Sequence, residues 1–462
     1  MRKALISKIR SNDHRQAGVT MVLVAVAMMT IIGMAALSID VITLYLAKEE
    51  AQRTADAAAL AAAKVLSITG VTGDPDNTQG GLLSPPWQTA CTLATQVAQA
   101  VVKQNIIGRA VPNSPTVTFL YNGTATDCAA GGTFAINPQV KVDVVQPGLP
   151  TFFSRIWNRT QGQVSATATA EAFNPSNSLN TSPNGLVTVN PRCVKPWLVP
   201  NQDPRNSVPA PHAPFVVLAS GAIQNPGIQL APGTAAGSIV GEKFALTSDC
   251  LTGNPNCKHG SGNGLIEPPQ ANGQGLGTLD YIPALIGGTA NAVPSCATGS
   301  AYQEAIAGCD VSTEYSCGIA NAGVQADLTF NPGKVSGDTA TATQCLIHQS
   351  AGQDVLDSTQ FPFQIQAGLG NPVATSGALM SSNSIVTVPI YDDVAAGTFS
   401  TVQATVPVNI VGFLQVFING IDASGNVNVT VLNVSGCSNI ATDTTPTVAG
   451  SSPVPVRLIP PP

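Results

Sequence analysis

Charge is scarce in this chain. Only 10% of its 462 residues are Asp, Glu, Lys or Arg, and beyond residue 66 twelve basic residues stand against twenty-one acidic ones, with no basic run. Nucleic-acid binding needs clustered Lys and Arg to displace counterions, so the composition argues against such a partner. Histidine is rarer still: His14, His212, His259 and His348 are the full set. HExxH, GxSxG, SxxK, phosphate-loop and EF-hand patterns are all missing. A non-enzymatic protein is therefore expected, with no catalytic residue, no cofactor and no small-molecule substrate. No cysteine precedes Cys91, and the ten present lack the paired CxxC spacing of a zinc site. That pattern suits disulfides in an oxidising compartment. Cys257, His259 and His348 are a conceivable metal set, but read more simply as loop residues.

Long apolar runs are also lacking, with one exception. From Ala17 to Ile39 there are 23 residues without a charge. At about 1.5 Å per residue this stretch spans the ~30 Å hydrocarbon layer. Arg2, Lys3, Lys8, Arg10 and Arg15 precede it, opposed only by Asp13. The positive-inside bias then keeps the N-terminus cytoplasmic and places the bulk of the chain in the periplasm or outside the cell. A cleaved secretory signal has a shorter apolar core, so a retained single-pass anchor in the inner membrane is the preferred reading. A cut at Gly18 by a prepilin-type peptidase is disfavoured, because Leu23 stands where that site carries Glu.

Glycine and proline are plentiful overall, at 43 and 35 residues, yet neither occurs between Gly33 and Gly70. The helix is thus expected to continue past the membrane to about residue 66. Ala47, Ala51, Ala55, Ala58 and Ala62 fall on one side of the wheel, a narrow stripe that lets another backbone come close. Glu49 and Arg53 form an i,i+4 pair on the other side. Asp40 lies on the stripe side at the expected membrane boundary, where it marks the outer interface or pairs with a partner helix. Asp56 reads either as a solvated charge near Arg53 or as a contact to a neighbouring subunit.

The stretch GVTMVLVAVAMMTIIGMAALSIDVITLYLAKEEAQRTADAAALAAAKVL resembles the N-terminal region of TadG-like proteins of Flp (Tad) pilus assembly. Gly18, Asp40, Gln52, Asp56 and the alanine run 55–63 carry the likeness, while Ala51 departs from the larger apolar residue common there. VKVDVVQPGLPTFFSRIWNRTQGQVSATATAEAF (140–173) is similar to the strand, Thr-Phe-Phe turn and strand of TadE/TadG-like proteins. The resemblance implies an inner-membrane-anchored envelope component without catalytic residues. Its implied partners are other Tad membrane proteins or pilus subunits, besides the lipid bilayer.

The expected fold class is α+β: a long transmembrane helix with an extracytoplasmic extension, a small α+β module, then a β-rich, loop-rich, sandwich-like domain. The boundaries read as a basic tail (1–16), anchor and helix (17–66), module (67–173), linker (174–185) and β-rich domain (186–462) with a disulfide-rich insertion at about 240–350. Within the module a helix is expected over 87–108 with Gly108 as its C-cap, then strands at 115–121, 139–146 and 163–173. Later strands are expected in LVTV, PFVVLA, SIVTVPIY, VQATVPVNIV, FLQVFI, NVNVTVLNV and VPVRLI, with a short helix in SAYQEAIAG. Cys91 and Cys128 are the only module cysteines and are the preferred pair. Local bridges Cys250–Cys257 and Cys309–Cys317 are plausible from their spacing. Asp422, Ser424 and Asn426 approach the metal loop of a von Willebrand A-type domain. Too little chain follows for that fold, so a hairpin turn is expected there.

Overall fold

No proline falls in the stretch, its only glycines are Gly18 and Gly33, and alanine and leucine are good helix formers, so a single helix α1 extends over Asp13–Ile68. Its 56 residues span about 84 Å at the α-helical rise. The computed structural model describes residues 13–68, 84–121, 123–128, 137–151 and 160–174 in the N-terminal part, with residues 72, 153, 154 and 158. Beyond these it describes chiefly 187–191, 193–204, 214–218, 239–248, 277–285, 299–309, 315–317, 324–327, 335–359, 363–379, 382–392, 405–422, 425–436, 448–450 and 454–459, with a few single residues between.

Helix α2 runs over Ser84–Gln104, followed by strands β1 (Thr116–Tyr121), β2 (Thr124–Ala125), β3 (Gln139–Pro150) and β4 (Gln161–Ala172). The chain continues through β5 (Val187–Pro191), β6 (Trp197–Pro200), β7 (Lys243–Ser248) and β8 (Gly277–Pro283) to helix α3 (Ala301–Ala307). Then come β9 (Tyr315–Cys317), β10 (Val324–Asp327), helix α4 (Val335–Leu346), β11 (Val355–Asp357), β12 (Gln364–Gln366) and β13 (Ala378–Leu379). The last strands are β14 (Ile385–Tyr391), β15 (Thr405–Val408), β16 (Ile410–Ile421), β17 (Val427–Gly436), β18 (Val448–Gly450) and β19 (Val456–Ile459). The class is α+β, as expected.

The first sheet has the order β19-β4-β3-β1-β2. Strands β3 and β4 alternate buried and exposed residues, the period-two pattern of a sheet covered on one face. Helix α2 stops at Gln104, four residues before its expected cap. Asn105 turns its amide back onto Val101 O at 2.7 Å, competing with the backbone as Asn does at helix ends. Gly108 instead opens a two-residue turn with Arg109, both at positive φ (57° and 72°), closed by mutual Ile107 and Ala110 backbone bonds. VPVRLI does not join the β-rich domain's strands. As β19 it pairs antiparallel with the end of β4, Val456 opposite Ala172, and Arg457 donates to the Glu171 carboxylate.

Two stacked sheets were the expectation for the β-rich part. The strands instead close on themselves: β14 pairs with β6, β6 with β8, β8 with β7, β7 with β17, β17 with β16, and β16 returns to β14. Closure leaves each of these six strands paired on both sides. Long-strand pairing makes this possible, because β16 is 12 residues long and its apolar run is buried along both faces. Trp197, Val199, Phe244, Leu279, Tyr281, Val388, Val416 and Val429 from these strands form one buried core cluster with Tyr302 and Ile306 of α3 and Ala342 of α4. Strands β9, β5 and β18 extend the sheet from β16. Among its described residues PFVVLA forms a single bridge, Val216 to Ile223. Helix α3 matches the expected short helix, capped by Ser300, whose side chain accepts from the Gln303 amide. Helix α4 was not anticipated.

The chain divides into two compact units. One comprises residues 1–58, 98–117 and 142–168, the other residues 59–97, 118–141 and 169–462. In the second unit the end of α1 is built into the β-rich part. Asn433 on β17 donates to Ser67 O at 2.5 Å, and buried Asn174 donates to Thr72 Oγ1 and to Val434 O. Residue 174 is thus a packed residue and not the start of a free linker.

Candidate functional site

In the first unit Asp40, Leu44, Lys48, Gln52 and Asp56 of α1 lie on a four-residue repeat. Residues four apart stack along one ridge of a helix, and this ridge follows β4 and the turn before it. Asp40 is buried, and its Oδ2 accepts from the Phe153 amide at 3.0 Å, the Ser154 amide at 2.7 Å and the Ser154 hydroxyl at 2.8 Å. A carboxylate taking backbone N–H groups in this way fixes a turn much as an N-cap fixes a helix start. One turn on, Leu44 packs so close to Gly162 that a Cβ there would meet Leu44 Cδ2 at 2.6 Å. Next, Lys48 donates to Ser165 O. Gln52 then donates to Thr167 O at 3.2 Å and to Asp56 Oδ1 at 2.8 Å. Beside the ridge, Glu50 accepts from the Gly108 amide at 2.7 Å.

This seam accounts for three of the family-motif positions. Asp40 and Gln52 hold the backbone of the turn and strand that follow 113 and 115 residues later, and Asp56 accepts from Gln52. Gly18 lies inside α1, far from the seam in sequence. Ala47, Ala51, Ala55 and Ala58 are buried within the first unit, and Ala62 is buried within the second. The stripe thus lies against this chain's own residues. Glu49 and Arg53 do form their exposed pair, at 3.6 Å. Lys48 and Glu50 were missed as seam residues. The four-residue repeat was the signal for Lys48; nothing marked Gly108 as the partner of Glu50.

Cys91–Cys128 is bridged as expected. Cys309 is joined to Cys193 and not to Cys317, and Cys296 is joined to Cys345. The cause is local. Lys195 is buried and donates to Ile306 O at 2.6 Å and Gly308 O at 2.8 Å, the orphan carbonyls ending α3. This brings Cys193, at φ 59°, beside Cys309, whereas Cys317 sits in β9 opposite Val187. Burial pushes the Lys195 amine down to about 7. Cys250 and Cys257 lie outside the described residues, as does His259. His348 is on a surface turn with Asn383 Nδ2 at 3.1 Å from Nε2.

Asp422 forms the turn between β16 and β17. It accepts from the Asn426 amide and side chain at 2.9 and 2.8 Å, with Gly425 at φ 85°, so the hairpin reading of this stretch stands. Among the described residues no group of three or more His, Cys, Asp or Glu side chains is placed to hold a metal ion. A second feature is the loop over 367–377 between β12 and β13. Asp354 accepts from the Gly368 amide at 2.8 Å and from Asn371 at 2.9 Å, and the loop holds Leu369 and Val373 out at 76% and 82% exposure.

One comparison with known proteins gives a match. Residues 18–65 match the family model described as putative Flp pilus-assembly TadE/G-like. The matched segment runs from Gly18 almost to the end of α1 and contains all of the α1 seam residues. No curated protein and no solved structure matches the chain.

Proposed function

We propose that this chain is a non-enzymatic, membrane-anchored component of Flp/Tad pilus assembly, acting as an envelope scaffold or a minor pilus-associated subunit. The observation that carries the proposal is the coincidence of the family match at residues 18–65 with the seam that locks α1 to its own module. The matched segment is thus a structural frame as well as an anchor. Helix α1 is long and apolar enough to cross a membrane, and the basic tail favours a cytoplasmic N-terminus in the inner membrane. Disulfides at Cys91–Cys128, Cys193–Cys309 and Cys296–Cys345 support an oxidising compartment for the bulk of the chain, periplasmic or extracellular. The partners would be other Tad membrane proteins or pilus subunits.

Affinity capture of the intact protein from solubilised membranes tests this. Co-purification of identified Tad assembly proteins or pilus subunits is expected; their consistent absence overturns the proposal. A second reading, a surface adhesin or binding module on a single-pass anchor, is favoured by the firmly held apolar tip at Leu369 and Val373. Protease added to intact cells separates the two. Cleavage of the folded C-terminal part indicates surface display, and protection indicates the periplasmic scaffold.

A further inference from the structure

The exposed apolar side chains of α1 do not end where the hydrocarbon layer should. Val19, Met21, Val22 and Leu23 begin the band, Ile39 is 48% exposed, and Val41, Ile42, Tyr45 and Leu46 follow at 55–63% exposure. Among the described side chains of α1 the first exposed charge is Lys48. From Val19 to Leu46 the helix rises about 41 Å, against a hydrocarbon core of ~30 Å and ~40–45 Å with the headgroup layers included. Asp40 lies inside that band but faces the other side, buried in its three bonds to Phe153 and Ser154. Phe153 and Ser154 are therefore held at the same height as exposed Val41 and Ile42.

From this geometry we infer that the first unit sits flush on the lipid bilayer. Val41, Ile42, Tyr45 and Leu46 are immersed in the interfacial layer, and the turn clamped by Asp40 rests in the same layer. The occupant of this apolar face is lipid because the face continues the membrane span without a break and its total rise equals one bilayer. Tyr45 stands where aromatic residues anchor at headgroup level. The carboxylate of Asp40 could not enter the layer's apolar edge unpaired, and its bonds to the turn supply the pairing.

This inference rests on α1 being a membrane anchor, so the test contains a separate control for the anchor. Full-length protein is reconstituted into vesicles of phospholipid brominated near the headgroup or near the chain end, with tryptophan added as Tyr45→Trp, Phe153→Trp or Met29→Trp. Emission from Met29→Trp should be quenched most by bromine near the chain end. Tyr45→Trp and Phe153→Trp should lose most of their added emission with bromine near the headgroup and resist aqueous acrylamide. Quenching of Met29→Trp with both others open to acrylamide would leave the anchor intact and overturn the flush seating. Should Met29→Trp escape every brominated lipid, both the anchor and the seating fall.

Discussion

Asp40 holds three donors with one carboxylate oxygen, and two of them are backbone amides. Hydrogen bonds to a charged group contribute about 1.5–3 kcal/mol each, and a donor left buried without a partner adds its own penalty. Asp40→Ala is expected to destabilise the first unit by about 2–4 kcal/mol and to speed amide exchange in peptides covering 151–160. Asp40→Asn retains an acceptor and should cost less. Lys195 makes a different prediction, in pH. Its ordinary value of 10.5 falls to about 7 through burial. Below about pH 7 the amine is protonated in folded and unfolded chain alike, and the cost of burying its charge is felt in full. Between about 7 and 10.5 the unfolded chain holds the extra proton, so stability of the second unit rises with pH, by at most about 1.4 kcal/mol per pH unit. Denaturation between pH 7 and 9 should show this rise, and Lys195→Met should flatten it while lowering stability, because two helix-end carbonyls lose their donor.

At the scale of elements, α1 carries the account. Ala55 is fully buried within the first unit while Ala57 is exposed. Adding bulk to a packed position costs about 1–3 kcal/mol. Ala55→Leu should therefore lower the thermal midpoint of the isolated chain, and Ala57→Leu should leave it nearly unchanged. Equal behaviour of the two would mean that the stripe is open to a partner. The helix, its length and its alanine face were legible in the sequence because absence of Gly and Pro and a 3.6-residue period are local signals. What lies against that face was not, since the Asp40 contact closes over 113 residues. The same limit applies to cysteines. Cys91–Cys128 followed from there being only two in the module. Cys309–Cys317 followed from nearness in sequence, and Lys195 overrides it by docking on the end of α3. Peptide mapping under non-reducing conditions should recover Cys193 joined to Cys309. Replacing Cys91 and Cys128 by Ser should destabilise the chain by roughly 4 kcal/mol or less, from the loop they close.

In the whole molecule, the strands of the β-rich part were mostly found and their closure was not. Alternation in SIVTVPIY and the apolar run of β16 announce strands, but a sandwich and a closed ring bury the same residues. The difference lies in which strand meets β14 a second time, a pairing set by register over long separations. Likewise the return of β19 to β4 cannot be read from a short apolar run at the chain's end. The domain read as 186–462 therefore shares its last strand with the sheet of the module. Within the second unit the end of α1 is bonded to β17 through Asn433 and Ser67, which supports the proposed scaffold role over that of a soluble domain on a flexible tether. The most direct measurement of that claim is made in cells. Deletion of the gene, with complementation by the wild-type chain, is followed by counting assembled Flp pili and determining the composition of the envelope complex. Loss of pili or of complex members, restored by complementation, is the predicted result; unchanged pili and an unchanged complex would contradict it.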